Sequence, residues 1–160
     1  MTTRAPHIVL IDDDRAWLKT LADFFEGKGY RVRTAQGGRA GLSLLEHDGA
    51  RLAIVDFQMP EMNGLELLRR LRRSRRDLAV LMLSSEDDPS LPPRVLAEGA
   101  RAFLSKTMAP VALLRALLQV VGTLDLPVAE ALGWERLLPV PRRRALYLPV
   151  PLSFFEPQEN

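Results

Sequence analysis

The sequence predicts an α/β protein: a doubly wound five-stranded parallel sheet with helices on both faces, followed by a C-terminal extension. Three observations carry that expectation. Short apolar runs alternate five times with amphipathic stretches. The runs are continuously apolar, which suits strands covered on both faces by crossover helices. Polar residues close these runs, where an open α/β sheet carries its chemistry: at the carboxyl edge, near a switch in strand order.

The elements follow in order. His7–Ile11 (HIVLI) reads as the first strand. Arg15–Gly27 sets Trp17, Leu18, Leu21, Phe24 and Phe25 at helical spacing. Tyr30–Thr34 is a weak alternating strand, and Arg39–Leu45 a short helix that ends before Asp48–Gly49. Leu52–Val55 is the third strand. Leu65–Arg73 is a helix with Leu65, Leu68 and Leu71 on one face. Leu78–Leu83 (LAVLML) is the fourth strand. Pro93–Glu98 is a short helix closed by Gly99, and Ala102–Leu104 is the fifth strand. Pro110–Val121 is the last helix, with Pro110 in its first turn.

Composition removes several classes of function. The 160 residues contain no cysteine, which excludes a disulfide scaffold, thiol catalysis and cysteine-bound metal. With only His7 and His47, a histidine-rich metal site is not expected. The opening MTTRAPH runs straight into the first strand, and no apolar run reaches the ~18 residues of a span. Neither a signal peptide nor a membrane segment is expected, and the expected compartment is the cytoplasm. Net charge is only +2, and the basic residues are 19 Arg against 3 Lys, so each lysine is informative.

The strand ends carry Asp12, Asp13 and Asp14, then Asp56, then Ser84 and Ser85, and Lys106 follows the fifth strand. Any one Asp or Ser there is an ordinary helix cap or turn former. Together they form a chemical set. Carboxylates crowded together repel each other unless a cation joins them. Hard oxygen ligands, few in number, match Mg²⁺, with Mn²⁺ as an alternative. Lys106 adds a compact positive charge and Ser84 a hydroxyl. The set suits an aspartate that accepts a phosphoryl group while cations neutralise the growing charge.

These motifs give the chain its resemblance. Residues 7–121 resemble the receiver domain of two-component response regulators, through IVLIDDD, DFQMPEMNG from Asp56 to Gly64, MLSSEDD and GARAFLSKT. The spacing is similar to the family's as well, with 28 residues from Asp56 to Ser84 and 22 from Ser84 to Lys106. The resemblance implies a flavodoxin-like receiver fold. It implies that Asp56 is phosphorylated, that Asp12 and Asp13 are the metal-binding acid pair with Asp13 the preferred direct ligand, and that the Gln58 carbonyl completes the protein ligands. Asp14 falls at a variable position and reads as a helix cap. Ser84 matches the hydroxyl that follows the phosphoryl group, Lys106 the conserved lysine, and Phe103 the aromatic that changes rotamer. Gln58 and Glu86 occupy positions that tune hydrolysis in the family. The implied partners are a sensor histidine kinase or phosphotransfer protein and an unidentified downstream protein.

The chain also departs from the family's pattern. Thr107 stands where proline usually follows the lysine, and Pro92–Pro93 would stiffen the start of the fourth helix. The run RRLRRSRR at 69–76 reads as the solvated end of the third helix, because its arginines point several ways and form no stripe. Direct nucleic-acid binding is therefore not expected. Six of the twelve prolines lie beyond residue 123, which places a boundary between a receiver domain at 1–123 and an extension at 124–160. The extension offers one short helix over Val128–Leu138. PVPRRRALYLPVPLSFFEP follows, too apolar for an inert linker. Prolines 149 and 151 permit an extended arm or a sheet edge. A dimerisation or docking arm is the expectation, with about 35 residues too few for a helix-turn-helix output.

The leading function is a phosphorylation-dependent protein-interaction switch. Alternatives are a phosphorylation-independent pseudo-receiver acting as a scaffold or dimerisation module, and a transcription regulator truncated before its output domain. A phosphatase acting on metabolites would want a second acid two residues after the nucleophile, and Gln58 stands there.

Overall fold

The computed structural model describes residues 7–124 and 146–147. The order is β1 (His7–Asp12), α1 (Arg15–Gly27), β2 (Arg31–Gln36), α2 (Gly38–His47), β3 (Leu52–Asp56), α3 (Gly64–Ser74), β4 (Ala79–Ser84), α4 (Leu91–Ala97), β5 (Ala102–Ser105), α5 (Pro110–Leu124) and β6 (Leu146–Tyr147). The sheet runs β2-β1-β3-β4-β5-β6, and every pairing is parallel. Its first five strands and five helices are the doubly wound arrangement the sequence predicts. The chain goes outward from β1 to β2, then crosses back to β3 on the other side of β1. The carboxyl ends of β1 and β3 thus flank the switch point, where open α/β sheets bind ligands.

Alternation along the central strands separates two cores. Val9, Ile11, Val55, Val80 and Met82 face α2, α3 and α4. Ile8, Leu10, Ile54, Leu81 and Leu83 face α1 and α5, against Leu18, Phe25, Leu113 and Leu117. β1, β3 and β4 are buried on both faces from end to end, apart from His7 at the start of β1. Such strands leave no room for charge except at their tips. Asp12, Asp56 and Ser84 are the last residues of those three strands.

Local sequence sets the elements that frame this rim. Asp14 caps α1, its side chain accepting from the Ala16 and Trp17 N–H groups at 2.9 and 3.1 Å. Asn63 caps α3 by accepting from Glu66 N–H. Gly64 lets α3 start against the end of β3, since a Cβ there would sit 2.5 Å from the Asp56 carbonyl oxygen and 2.7 Å from Met82 Sδ. α4 begins at Leu91, two residues earlier than the sequence suggests. The physical reason is that Pro92 and Pro93 occupy its first turn, where missing N–H groups cost no helical hydrogen bond. Gly99, at φ +102°, follows it in the left-handed region.

The arginine run has a more specific use than a solvated helix end. Arg75 donates to the carbonyls of Leu45 at 2.6 Å, Asp48 at 2.7 Å and Ala50 at 2.6 Å. Arg72 donates to the Arg75 and Leu78 carbonyls. Arg69 pairs with Glu98 and Arg70 with Glu66. Four of the six arginines are thus engaged within the fold.

β6 adds a two-residue parallel strand beyond β5. The rest of the extension, including the helix expected at Val128–Leu138 and the docking arm apart from β6, lies outside the described residues. Among the described residues, no helix is long and apolar enough to cross a membrane.

Candidate functional site

Adjacent strand ends bring Asp12 and Asp56 together. The β1–β3 register pairs Ile11 with Val55, so the next residues are the two aspartates. Both are almost wholly buried, at 3% and 5% exposure. Lys106 follows β5 directly and reaches back to both, with Nζ 2.6 Å from Asp12 Oδ2 and 2.8 Å from Asp56 Oδ1. Its backbone N–H donates to the Ser84 carbonyl at 2.7 Å, which fixes the turn that launches the side chain. The ammonium also lies 5.8 Å from the centroid of the Trp17 ring.

Asp13 is exposed at the edge of this pair. One oxygen from each of Asp12, Asp13 and Asp56 falls within 4.8 Å of the others. Asp12 Oδ1 accepts from Asp14 N–H at 3.0 Å, which orients that carboxylate.

The electrostatics are opposed by design of the rim. Burial pushes the Asp56 carboxyl up to about 6, and the Asp12 and Asp13 charges push the same way against the opposing Lys106 ammonium. For Lys106, burial disfavours the ammonium, but hydrogen bonds to Asp12 and Asp56 outweigh it and hold the group above its ordinary value. Three carboxyls face one ammonium, so the site retains an excess of negative charge. All three offer hard oxygens. That donor set fits a small divalent cation such as Mg²⁺.

Ser84 is fully buried, and its Oγ accepts from Glu86 N–H at 3.0 Å. The Gln58 side chain turns toward the β4–α4 loop, donating to Glu86 Oε1 at 2.6 Å and accepting from Ser85 Oγ at 3.0 Å. A cleft of about 410 Å³ opens beside the cluster, lined by Phe57, Gln58, Met59, Pro60, Asn63 and Glu86. Phe103 is set apart from the charges: it is buried in β5, in the core under α2, α3 and α4. The fold therefore gathers Asp12, Asp13, Asp56 and Lys106, holds Ser84 at the neighbouring strand end, and leaves Phe103 inside. Sequence reasoning missed two contacts. It placed Trp17 on an apolar helix face with no signal of the ammonium above it. It named Gln58 and Glu86 together as positions that tune hydrolysis, without their hydrogen bond.

A parallel sheet with a lysine-bridged carboxylate pair at its switch point defines a two-component receiver. Residues 8–118 match the response regulator receiver domain, and the chain belongs to that family. The two-component response regulator ORR3 of Oryza sativa subsp. indica is 34% identical over 108 residues, covering 66% of this chain and 82% of that protein. Response regulator MprA of Mycolicibacterium vanbaalenii is 38% identical over 102 residues, 64% of this chain and 44% of its own length. Among solved structures, a CheY-like receiver domain protein from Methanospirillum hungatei JF-1 superposes with a TM-score of 0.68 at 27% identity, covering 78% of this chain and 99% of that one. Chemotaxis response regulator CheY4 of Vibrio cholerae gives 0.66 at 28% identity, covering 73% and 99%. Receiver domains of this family interact with histidine kinases or phosphotransfer proteins and bind Mg²⁺ in an acidic pocket, here the Asp12, Asp13 and Asp56 cluster.

Proposed function

We propose that Asp56 accepts a phosphoryl group from the phosphohistidine of a sensor histidine kinase or phosphotransfer protein, and that this switches contacts with a downstream protein in the cytoplasm. The observation that carries the reading is the Lys106 bridge, which places an ammonium 2.8 Å from Asp56 Oδ1. An oxygen of the Asp56 carboxylate attacks phosphorus. The P–N bond breaks, and its electron pair stays on the imidazole nitrogen, which takes up a proton. The product is an acyl phosphate on Asp56.

Lys106 is placed to pair with a phosphoryl oxygen as charge builds there. Asp12, Asp13 and Asp56, with the Gln58 carbonyl, would hold Mg²⁺, or Mn²⁺ in its stead, which supplies further positive charge against the phosphoryl oxygens. Ser84 Oγ would exchange its Glu86 contact for a phosphoryl oxygen, and the space it leaves would let Phe103 turn, biasing a two-state face of α4, β5 and α5. Water attacking phosphorus then breaks the P–O bond, returning the carboxylate and inorganic phosphate. Gln58 and Glu86, joined by a hydrogen bond, would tune that approach. The unit that does this is the receiver domain at 1–123.

Intact mass after incubation with acetyl phosphate and Mg²⁺ tests the reading. Wild-type protein should gain one phosphoryl mass, Asp56→Ala none, and a chelator should abolish the gain. A gain that persists in Asp56→Ala would place the chemistry elsewhere. No gain with either acetyl phosphate or a phosphorylated histidine kinase would favour the scaffold alternative.

A further inference from the structure

β5 closes the five-unit sheet, and a closing strand presents a row of backbone donors and acceptors to whatever lies beyond it. Arg101 N–H donates inward to the Val80 carbonyl at 2.8 Å. Alternation along the strand then turns the N–H groups of Ala102 and Leu104 outward. An extended segment can dock on such an edge by strand addition. In this chain the edge is taken: Leu146 and Tyr147 pair with Ala102 and Phe103 in parallel register, and β6 lies beside α4.

We propose that the segment at Leu146–Tyr147 is an intramolecular cap on the β5 edge, filling in cis a strand-addition site that a partner's extended segment must compete for. Three features of the chain fit this use. Pro149 and Pro151 lie two and four residues beyond Tyr147 and lack N–H groups, which limits how far the added strand can extend. The 21 residues between Leu124 and Leu146 span up to roughly 70 Å extended, ample to return to β5 of the same molecule. A tether of that kind keeps the segment at an effective concentration of about millimolar, so cis pairing outcompetes a second copy at ordinary protein concentrations. The pairing is independent of Asp56 chemistry. Its meaning for a downstream partner rests on the proposed function, because β5 belongs to the face that would switch.

The absence of cysteine allows a direct test in the full chain. Arg101→Cys with Leu146→Cys, treated with a short bismaleimide, should crosslink within one molecule, and Arg101→Cys alone should not. Crosslinked dimers would overturn cis capping, and no crosslink would overturn the pairing. Separately, Tyr147→Pro should speed hydrogen exchange at Ala102 and Leu104 by about tenfold or more while Phe103, bonded inward, stays protected. Equal exchange at all three residues in both proteins would overturn the cap. A synthetic peptide of residues 142–152 should bind the Tyr147→Pro protein at least about tenfold more tightly than the crosslinked protein. Equal binding, or none at millimolar peptide, would overturn the strand-addition site. None of these readouts uses phosphorylation, so their failure leaves the phosphoacceptor reading standing and its failure leaves theirs.

Discussion

The two rims of this sheet bury charge to opposite ends. At the carboxyl rim, Asp12 and Asp56 share one ammonium, with exposed Asp13 beside them, and the Asp56 carboxyl is pushed up to about 6. At the opposite rim a single buried carboxylate, Asp48, is met from every side. Arg33 approaches it at 2.7 Å, His7 at 3.3 Å, and the Ala50 N–H at 2.7 Å. Arg75 then ties down the carbonyls of Leu45, Asp48 and Ala50 around it. One rim has more negative charge than cationic partners, and at the other both oxygens of the Asp48 carboxylate are engaged. The first arrangement suits the proposed cation and phosphoryl chemistry; the second holds the α2–β3 connection in place. Under-compensation, not burial, sets the proposed functional end apart.

The largest effect should separate the rims by rate. Lys106→Met removes the ammonium 2.8 Å from Asp56 and should slow phosphoryl uptake by roughly 10²–10³-fold, the usual worth of a positioned charge at a developing oxyanion. The initial rate with acetyl phosphate, followed by intact mass, reads this. A rate within a few-fold of wild type would make Lys106 a structural counter-ion, like Arg33. The mirror experiment is Arg75→Met. It strips charged donors from three carbonyls and should lower stability by about 3 kcal/mol in urea unfolding, leaving the uptake rate of folded protein unchanged. A rate loss there would mean that the two rims are coupled.

Much of this contrast is legible in the sequence, and unevenly so. Four of the first five strands are continuous apolar runs and the second alternates weakly, so their order can be read directly. Aspartates at the tips of the first and third and a lysine after the fifth mark the carboxyl rim. What cannot be read is the bridge itself, which joins residues 94 apart in sequence. The opposite rim is silent for a related reason. Arg75 sits in a run that looks like a solvated helix end, and its three acceptors are backbone carbonyls 25 to 30 residues away, which carry no residue-type signal. The α4 boundary moved because prolines fit a first turn as readily as they break a later one. β6 could be foreseen as an edge but not placed, since a two-residue pairing leaves no periodicity.

A smaller effect, about 2 kcal/mol, tests under-compensation as a stability statement. Asp56 binds its proton more tightly folded than unfolded, where the ordinary value is 3.8 against about 6. Between those values the folded state holds a proton that the unfolded chain has released. Stability contributed by this group is therefore greatest below about pH 4, falls as pH rises to about 6, and stays low beyond. Asp56→Asn should raise stability at pH 7 in chelator-containing buffer and flatten that decline. The gain falls short of the full shift because Lys106 loses one partner and keeps only Asp12. Adding Mg²⁺ should stabilise wild type more than Asp56→Asn. A loss of stability in Asp56→Asn would mean that Lys106 already compensates the carboxylates fully, and the contrast between the rims would collapse.

The smallest effect concerns a residue that belongs to both descriptions. Trp17 packs against the core under α1 and α5, and its ring also lies 5.8 Å from the Lys106 ammonium. An indole face at that distance attracts a cation by about 1 kcal/mol when water is partly excluded. Trp17→Leu keeps an apolar side chain on α1 and removes the quadrupole. If the ring steadies Lys106, uptake should slow about fivefold, and Trp17→Phe, which keeps a weaker quadrupole, should recover part of the loss. Packing alone predicts a different pair of results: lower stability for both variants and an unchanged rate per folded molecule. The rate ratio between Phe and Leu at position 17 thus decides whether the functional rim ends at its charges or reaches one layer into the core.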